Sequence, residues 1–142
     1  MSCSCAANSA RISQLEADIA WWKNQIAELQ RLIRDAQGVI RAFNGHKSEV
    51  NQFKHKMESA KNASHGRFEG NLHKTKYQAP LGDVSSALSE VTGAIDTNIS
   101  ALDNKIDDYE GRITEREGWI SEAEGEISSL ESEISACEVC NA

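Results

Sequence analysis

Proline and aromatic residues are scarce in this sequence. One proline occurs among 142 residues, and Phe, Tyr and Trp together make up 6% of the chain. So few helix breakers and large rings are typical of long helices, whereas a thick globular core needs more rings. The 39% of hydrophobic residues beside 26% of charged ones agree with a protein built from long helices.

Long apolar runs are missing as well. No stretch approaches the ~20 apolar residues that a membrane-spanning helix needs. The N-terminus also lacks the charged and then apolar pattern of a signal peptide. We therefore expect no membrane insertion and a cytoplasmic protein. If the protein is exported with a partner, we expect an export route that does not depend on a signal peptide.

Catalytic motifs are absent from the sequence too. No set of nucleophile, base and acid, no phosphate-binding loop and no metal-binding pair of histidines stands out, so we expect no enzymatic activity. Residues 41–82 carry a net charge of +5, whereas residues 83–142 carry −12. The basic segment lacks aromatic stacking platforms and an acidic helix would lie alongside it, so we expect no nucleic-acid binding.

Hydrophobic residues recur every seven positions in the second half of the chain. Two series three residues apart lie on one narrow stripe of a helix, which is the seam of a coiled coil. The first series is Ile99, Ile106, Ile113, Ile120, Ile127 and Ile134. The second series is Leu102, Tyr109, Arg116, Ala123, Leu130 and Cys137.

A matching pair of series runs through the first half, from Ile12 and Leu15 onward. We predict an all-α protein, an antiparallel two-helix hairpin with a coiled-coil-like seam. Helix 1 would cover about residues 10–63, the bend about 64–82 and helix 2 about 83–137. The favoured register sets Ile19 against Leu130 and Trp22 against Ile127, although a shift of seven residues also matches the seams.

Six further hydrophobic residues each lie one position before the seam. They are Leu32, Val39, Phe53, Val84, Val91 and Trp119. Scattered exposed apolar side chains are normal on proteins. A bundle, however, needs a wider apolar stripe than a two-helix hairpin does. We therefore predict that these residues bind a second helical pair, from a partner or from another copy of the chain, to complete a four-helix bundle.

The four cysteines lie close to the two ends of the sequence. Cys3 and Cys5 are separated by one residue, and Cys137 and Cys140 by two. A hairpin brings its ends together, so the cysteines could form disulfides or a tetrahedral zinc site. They could equally stay unpaired, since a small buried thiol on a seam needs no further role.

The bend contains Arg67-Phe68-Glu69-Gly70. An aromatic residue two positions before a glycine, between two long helices, resembles the W-x-G turn of the WXG family of type VII secretion proteins. The layout also looks like the small helical accessory proteins of LXG toxins. The resemblance implies that Phe68 and Gly70 belong to the partner-binding region, and that the partner is the helical N-terminal domain of a toxin. Phe68 could instead fill the space beneath the bend.

Two functions follow as expectations. The first is a non-enzymatic adaptor that pairs with a type VII-secreted toxin and promotes its export. The alternative is a structural coiled-coil spacer, or a self-assembling subunit, without a toxin partner. No cofactor is expected apart from the zinc alternative at the terminal cysteines.

Overall fold

The computed structural model describes residues 4–62 and 79–137. Helix α1 covers Cys5–Asn62 and helix α2 covers Ala79–Ala136, each 58 residues long. The two helices pack against each other, and the described part of the chain contains no strand. The predicted all-α, two-helix hairpin is thereby confirmed.

Both helices begin earlier than the sequence pattern suggests. Ser4 precedes α1, and its carbonyl oxygen accepts a hydrogen bond from the backbone N–H of Asn8 at 2.9 Å. Serine is a favoured N-cap residue. Helix α2 includes Pro80 and Gly82, which we assigned to the bend. Proline is tolerated in the first turn because its missing N–H has no intrahelical acceptor there.

The chain divides into two compact units. Unit 1 combines Met1–Arg34 with Ile106–Ala142, and unit 2 is the continuous segment Asp35–Lys105. Each unit therefore contains a part of α1 and a part of α2. The helix parts within a unit are held by contacts between residues far apart in the sequence.

The core of unit 1 follows the heptad pattern. Leu15, Ile19 and Ala123 form a buried cluster. Four partly buried hydrophobic side chains pack against this cluster: Trp22, Ile120, Ile127 and Leu130. All seven residues belong to the seven-residue series, so hydrophobic side chains fill this part of the seam of unit 1. Arg116 is a charged residue on the same seam, where it donates a hydrogen bond to Gln25.

The predicted register is wrong by one heptad. Ile19 shares its buried cluster with Ala123, seven residues before its predicted partner Leu130, and Trp22 contacts Trp119, eight residues before its predicted partner Ile127. A slide of seven residues leaves every seam position facing a seam position, so heptad matching alone does not select between the two registers.

Unit 2 has polar groups on its seam. Lys47 occupies a seam position, and its ammonium reaches out to Asp96 with an Nζ–Oδ1 distance of 2.6 Å. Ser85, also on the seam and 8% exposed, donates a hydrogen bond to Glu58 at 3.1 Å. Ile95 and Ala36 are buried there. Lys47 and Ser85 on the seam thus have hydrogen-bonding partners, but they interrupt the apolar core of unit 2.

Neither α1 nor α2, over the residues described, contains a segment long and apolar enough to cross a bilayer.

Candidate protein-binding site

The hydrophobic residues one position before the seam are largely exposed. Val39, Phe53, Val84 and Val91 have exposed fractions of 45%, 50%, 38% and 47%. Trp119 is 36% exposed, and Leu32 is partly buried. This position lies at the edge of the seam, where the partner helix covers only part of a side chain. We call these six residues the flanking row.

Unit 2 holds four of the six residues of the flanking row. Val39 and Phe53 come from α1, and Val84 and Val91 come from α2. Each leaves more than a third of its surface in water, whereas Ile95 on the seam of the same unit is 8% exposed. Several large hydrophobic residues exposed in one unit are a feature of protein-interaction surfaces.

Unit 1 presents aromatic rings beside the seam. The rings of Trp22 and Trp119 have centroids 5.7 Å apart and planes tilted by 51°. The guanidinium carbon of Arg116 lies 5.4 Å from the ring centroid of Trp119, within the range of a cation–π contact. Arg116 Nε also donates to Gln25 Oε1 at 2.8 Å. These contacts fix Trp119 while leaving part of its ring exposed.

Trp21 is a surface residue that the sequence patterns missed. It is 61% exposed, the highest fraction among the exposed large hydrophobic residues of the described chain. It precedes Trp22 of the second seam series, a heptad position that points away from the seam, whereas the flanking row precedes the first series. The signal was present in the pair Trp21-Trp22, because adjacent helical residues point about 100° apart and cannot share one seam.

An ion pair and a hydrogen bond connect the two helices of unit 1. Arg11 Nε donates to Glu126 Oε1 at 3.0 Å, and this hydrogen bond raises the pKa of Arg11 above its ordinary value. Asn8 donates to Glu133 at 3.2 Å. Both pairs are exposed, so they favour one register of the helices more than they add stability.

The cysteines among the described residues are disulfide-bonded. Cys5 begins α1, Cys137 follows the last residue of α2, and both belong to unit 1. Cys137 is 5% exposed. A disulfide sulfur cannot bind zinc as a thiolate. Of the three alternatives for the cysteines, the structure therefore shows disulfides at Cys5 and Cys137. Within residues 4–62 and 79–137, no group of three or more His, Cys, Asp or Glu is placed to hold a metal ion.

Four predicted site residues lie outside the described residues. They are Cys3, Phe68, Gly70 and Cys140. The W-x-G-like turn and half of the terminal cysteines therefore remain sequence-based predictions.

Comparisons of the chain with protein-family models, with curated proteins and with solved structures found no match. The surface itself is therefore the basis for a functional proposal.

Proposed function

We propose that the chain is a non-enzymatic adaptor that binds a helical partner protein through the flanking row. The observation that carries this proposal is the exposure of Val39, Phe53, Val84 and Val91 in unit 2, beside a seam that is already closed. A second pair of amphipathic helices would cover these side chains, as in a four-helix bundle.

The partner in this proposal is the helical N-terminal domain of a type VII-secreted LXG toxin. The choice of partner rests on the resemblance of the bend sequence at Phe68 and Gly70 to the W-x-G turn. The adaptor would mask apolar surface of the toxin domain before export and accompany it to the secretion apparatus.

Such binding is driven by burial of apolar area. A fully buried Val or Phe side chain contributes about 1.5–3 kcal/mol relative to an exposed one. The flanking row of unit 2 is already partly covered, so each residue would contribute a fraction of this amount. A few such residues are enough for specific binding when they lie at the centre of the interface.

Co-expression with the product of the neighbouring gene, followed by affinity purification, tests the proposal. We expect the two chains to purify together. Val39→Asp and Phe53→Asp should each abolish capture, because a carboxylate would be buried without a partner. Asn44→Asp and Asn51→Asp are matched controls, since they place the same side chain on the polar edge of α1 and should leave capture unchanged.

The opposite results would count against the adaptor. Failure of the two chains to purify together would remove the proposed partner. A stable homo-oligomer in which Phe53 is covered, with no toxin domain captured, would favour the structural-spacer alternative. Equal effects of the Asp variants and their controls would show that capture does not use the flanking row.

A further inference from the structure

Charged residues on α2 are arranged symmetrically about Trp119. Arg112 lies seven residues before it and Glu126 seven residues after it. Arg116 and Glu122 lie three residues before and after it. Spacings of three and seven place residues on one helical face. Of these four charged residues, the two before the tryptophan are positive and the two after it are negative, whereas Glu115, four residues before it, is an acid on the positive side.

Two grooves in unit 1 carry the same division of charge. One, of about 380 Å³, is lined by Trp21, Arg112 and Arg116 among others, and its lining has two guanidinium groups and one carboxylate. The second groove, of about 360 Å³, is lined by Trp119 and Glu122 among others. Its lining contains three carboxylates and one guanidinium group.

We propose that a second copy of this chain docks on this face, with a two-fold axis passing beside Trp119. A two-fold interface uses the same surface on both subunits. It would place Arg112 of each copy against Glu126 of the other, and Arg116 against Glu122. The two Trp119 rings would meet at the centre, and each exposed Trp21 would lie against the second copy.

The charge pattern selects both the occupant and its orientation. An antiparallel pairing of α2 with another α2 about Trp119 matches opposite charges at four places, whereas a parallel pairing would oppose like charges. Trp and Arg are also the residue types that contribute most often to the centre of protein interfaces. A second copy supplies the complementary surface from residues already present in unit 1.

This inference goes beyond the proposed adaptor function, because it concerns unit 1 and another copy of the chain. The adaptor proposal is carried by Val39, Phe53, Val84 and Val91 of unit 2, and Trp119 is the one residue of the flanking row at the centre of the dimer. Either proposal can therefore fail while the other one holds, and each has its own variants.

A charge-reversal cycle followed by analytical ultracentrifugation tests the dimer. Arg112→Glu and Glu126→Arg each replace two attractive pairs across the two-fold axis by two repulsive ones. We expect either change to weaken the dimer about tenfold or more. The double variant restores opposite charges across the axis, so we expect its dissociation constant to return to within about threefold of the original.

The double variant also separates association from folding. Arg112 pairs with Asp108 and Glu126 pairs with Arg11 within one chain, and neither pair is rebuilt when both charges are reversed. A defect in folding would therefore persist in the double variant, whereas a defect in association would be repaired. Glu124→Arg, on the polar edge of α2, is the charge-matched control and should leave the dimer unchanged.

Three results would overturn the proposal. A chain that stays monomeric up to about 100 μM would show that the face is not self-complementary in solution. A dimer that ignores both single reversals would lie elsewhere. An effect of Glu124→Arg as large as that of Glu126→Arg would reflect net charge and not pairing at Trp119.

Discussion

The two units of the chain are built from the same two helices but have different seams. Unit 1 buries Leu15 and Ile19 in a continuous hydrophobic cluster, and its ends carry disulfide-bonded cysteines. Unit 2 places Lys47 and Ser85 on its seam and leaves Phe53 half exposed. The heptad repeat thus determines which face of each helix packs. The side chains on the seam determine how much hydrophobic stabilisation each unit obtains from that packing.

This contrast suggests a division of roles. Unit 1 is the more strongly stabilised unit, because it has a hydrophobic core and disulfide-bonded cysteines. Unit 2 keeps apolar surface available at its edges and has less hydrophobic burial of its own. A region with few buried apolar contacts opens more easily than the rest of a protein. Such a region is suited to rearranging around a partner helix.

Reduction of the disulfides should have an effect as large as that of a core substitution. Both disulfide-bonded cysteines of the described chain, Cys5 and Cys137, belong to unit 1. A disulfide that restrains the unfolded chain contributes typically 2–4 kcal/mol. We expect reductant to lower the free energy of unfolding by about that amount, measured by urea denaturation. Amide exchange should accelerate first near the ends of α1 and α2 in unit 1.

A variant in which all four cysteines are replaced by Ser is the control for reduction. Its stability should not respond to reductant. Equal loss of amide protection in both units would contradict the prediction that the disulfides mainly stabilise unit 1.

Truncation of a core side chain should destabilise the protein more in unit 1 than in unit 2. Ile19→Ala removes a side chain from the closed cluster of unit 1, and Ile95→Ala removes an equally buried one from unit 2. Such changes cost about 2–5 kcal/mol, depending on the cavity that remains. We expect Ile19→Ala to be the more costly, because the long side chain of Lys47, which bonds Asp96 beside Ile95, can move into part of the space. Urea denaturation of both variants measures the difference, and equal costs would remove the contrast.

Repair of the polar seam should make unit 2 resemble unit 1. Lys47→Leu places an apolar side chain on the seam and removes an exposed ion pair with Asp96, which contributes at most about 1 kcal/mol. We expect a rise in stability of about 1 kcal/mol, seen as a higher midpoint in urea. Lys56→Leu, on the exposed surface of α1, is the control. A loss of stability in Lys47→Leu would show that the ion pair matters more than burial.

Acid titration should give the smallest effect. A hydrogen bond from Arg31 holds the pKa of Glu28 below its usual 4.5. A lowered pKa in the folded state adds stability above pH 4.5 that is lost as the pH falls through the folded value. Glu28→Gln should therefore flatten the slope of stability against pH below 4.5, measured by thermal unfolding. Glu16→Gln removes a charge from the same helix and serves as the control. An unchanged slope in Glu28→Gln would mean that the unfolded chain holds Glu28 in the same way.

Most of the architecture could be predicted from the seven-residue series alone. The buried hydrophobic residues of both units lie on these series, including Leu29, Ala36 and Ile106. The helix starts were harder to place. Pro80 is a helix breaker in most positions but a good first-turn residue, and that distinction depends on where the helix begins.

The candidate site was predictable in part. The flanking row followed from its position before the seam, and five of its six members are exposed in the structure. Trp21 escaped because it precedes the seam series of Leu15 and Trp22, a heptad position that points away from the seam. The groove beside Trp21 is lined by residues from both helices, and their proximity depends on the register.

The sequence by itself determined that two amphipathic helices fold back and close a seam, because apolar side chains repeating every seven residues cannot all face water on one helix. Only the tertiary structure decided the register, since a slide of one heptad exchanges one matched set of seam residues for another. It also decided which charged and aromatic residues meet. Arg11 with Glu126 and Trp22 with Trp119 are contacts between helices, and their formation depends on how the whole side-chain layers pack.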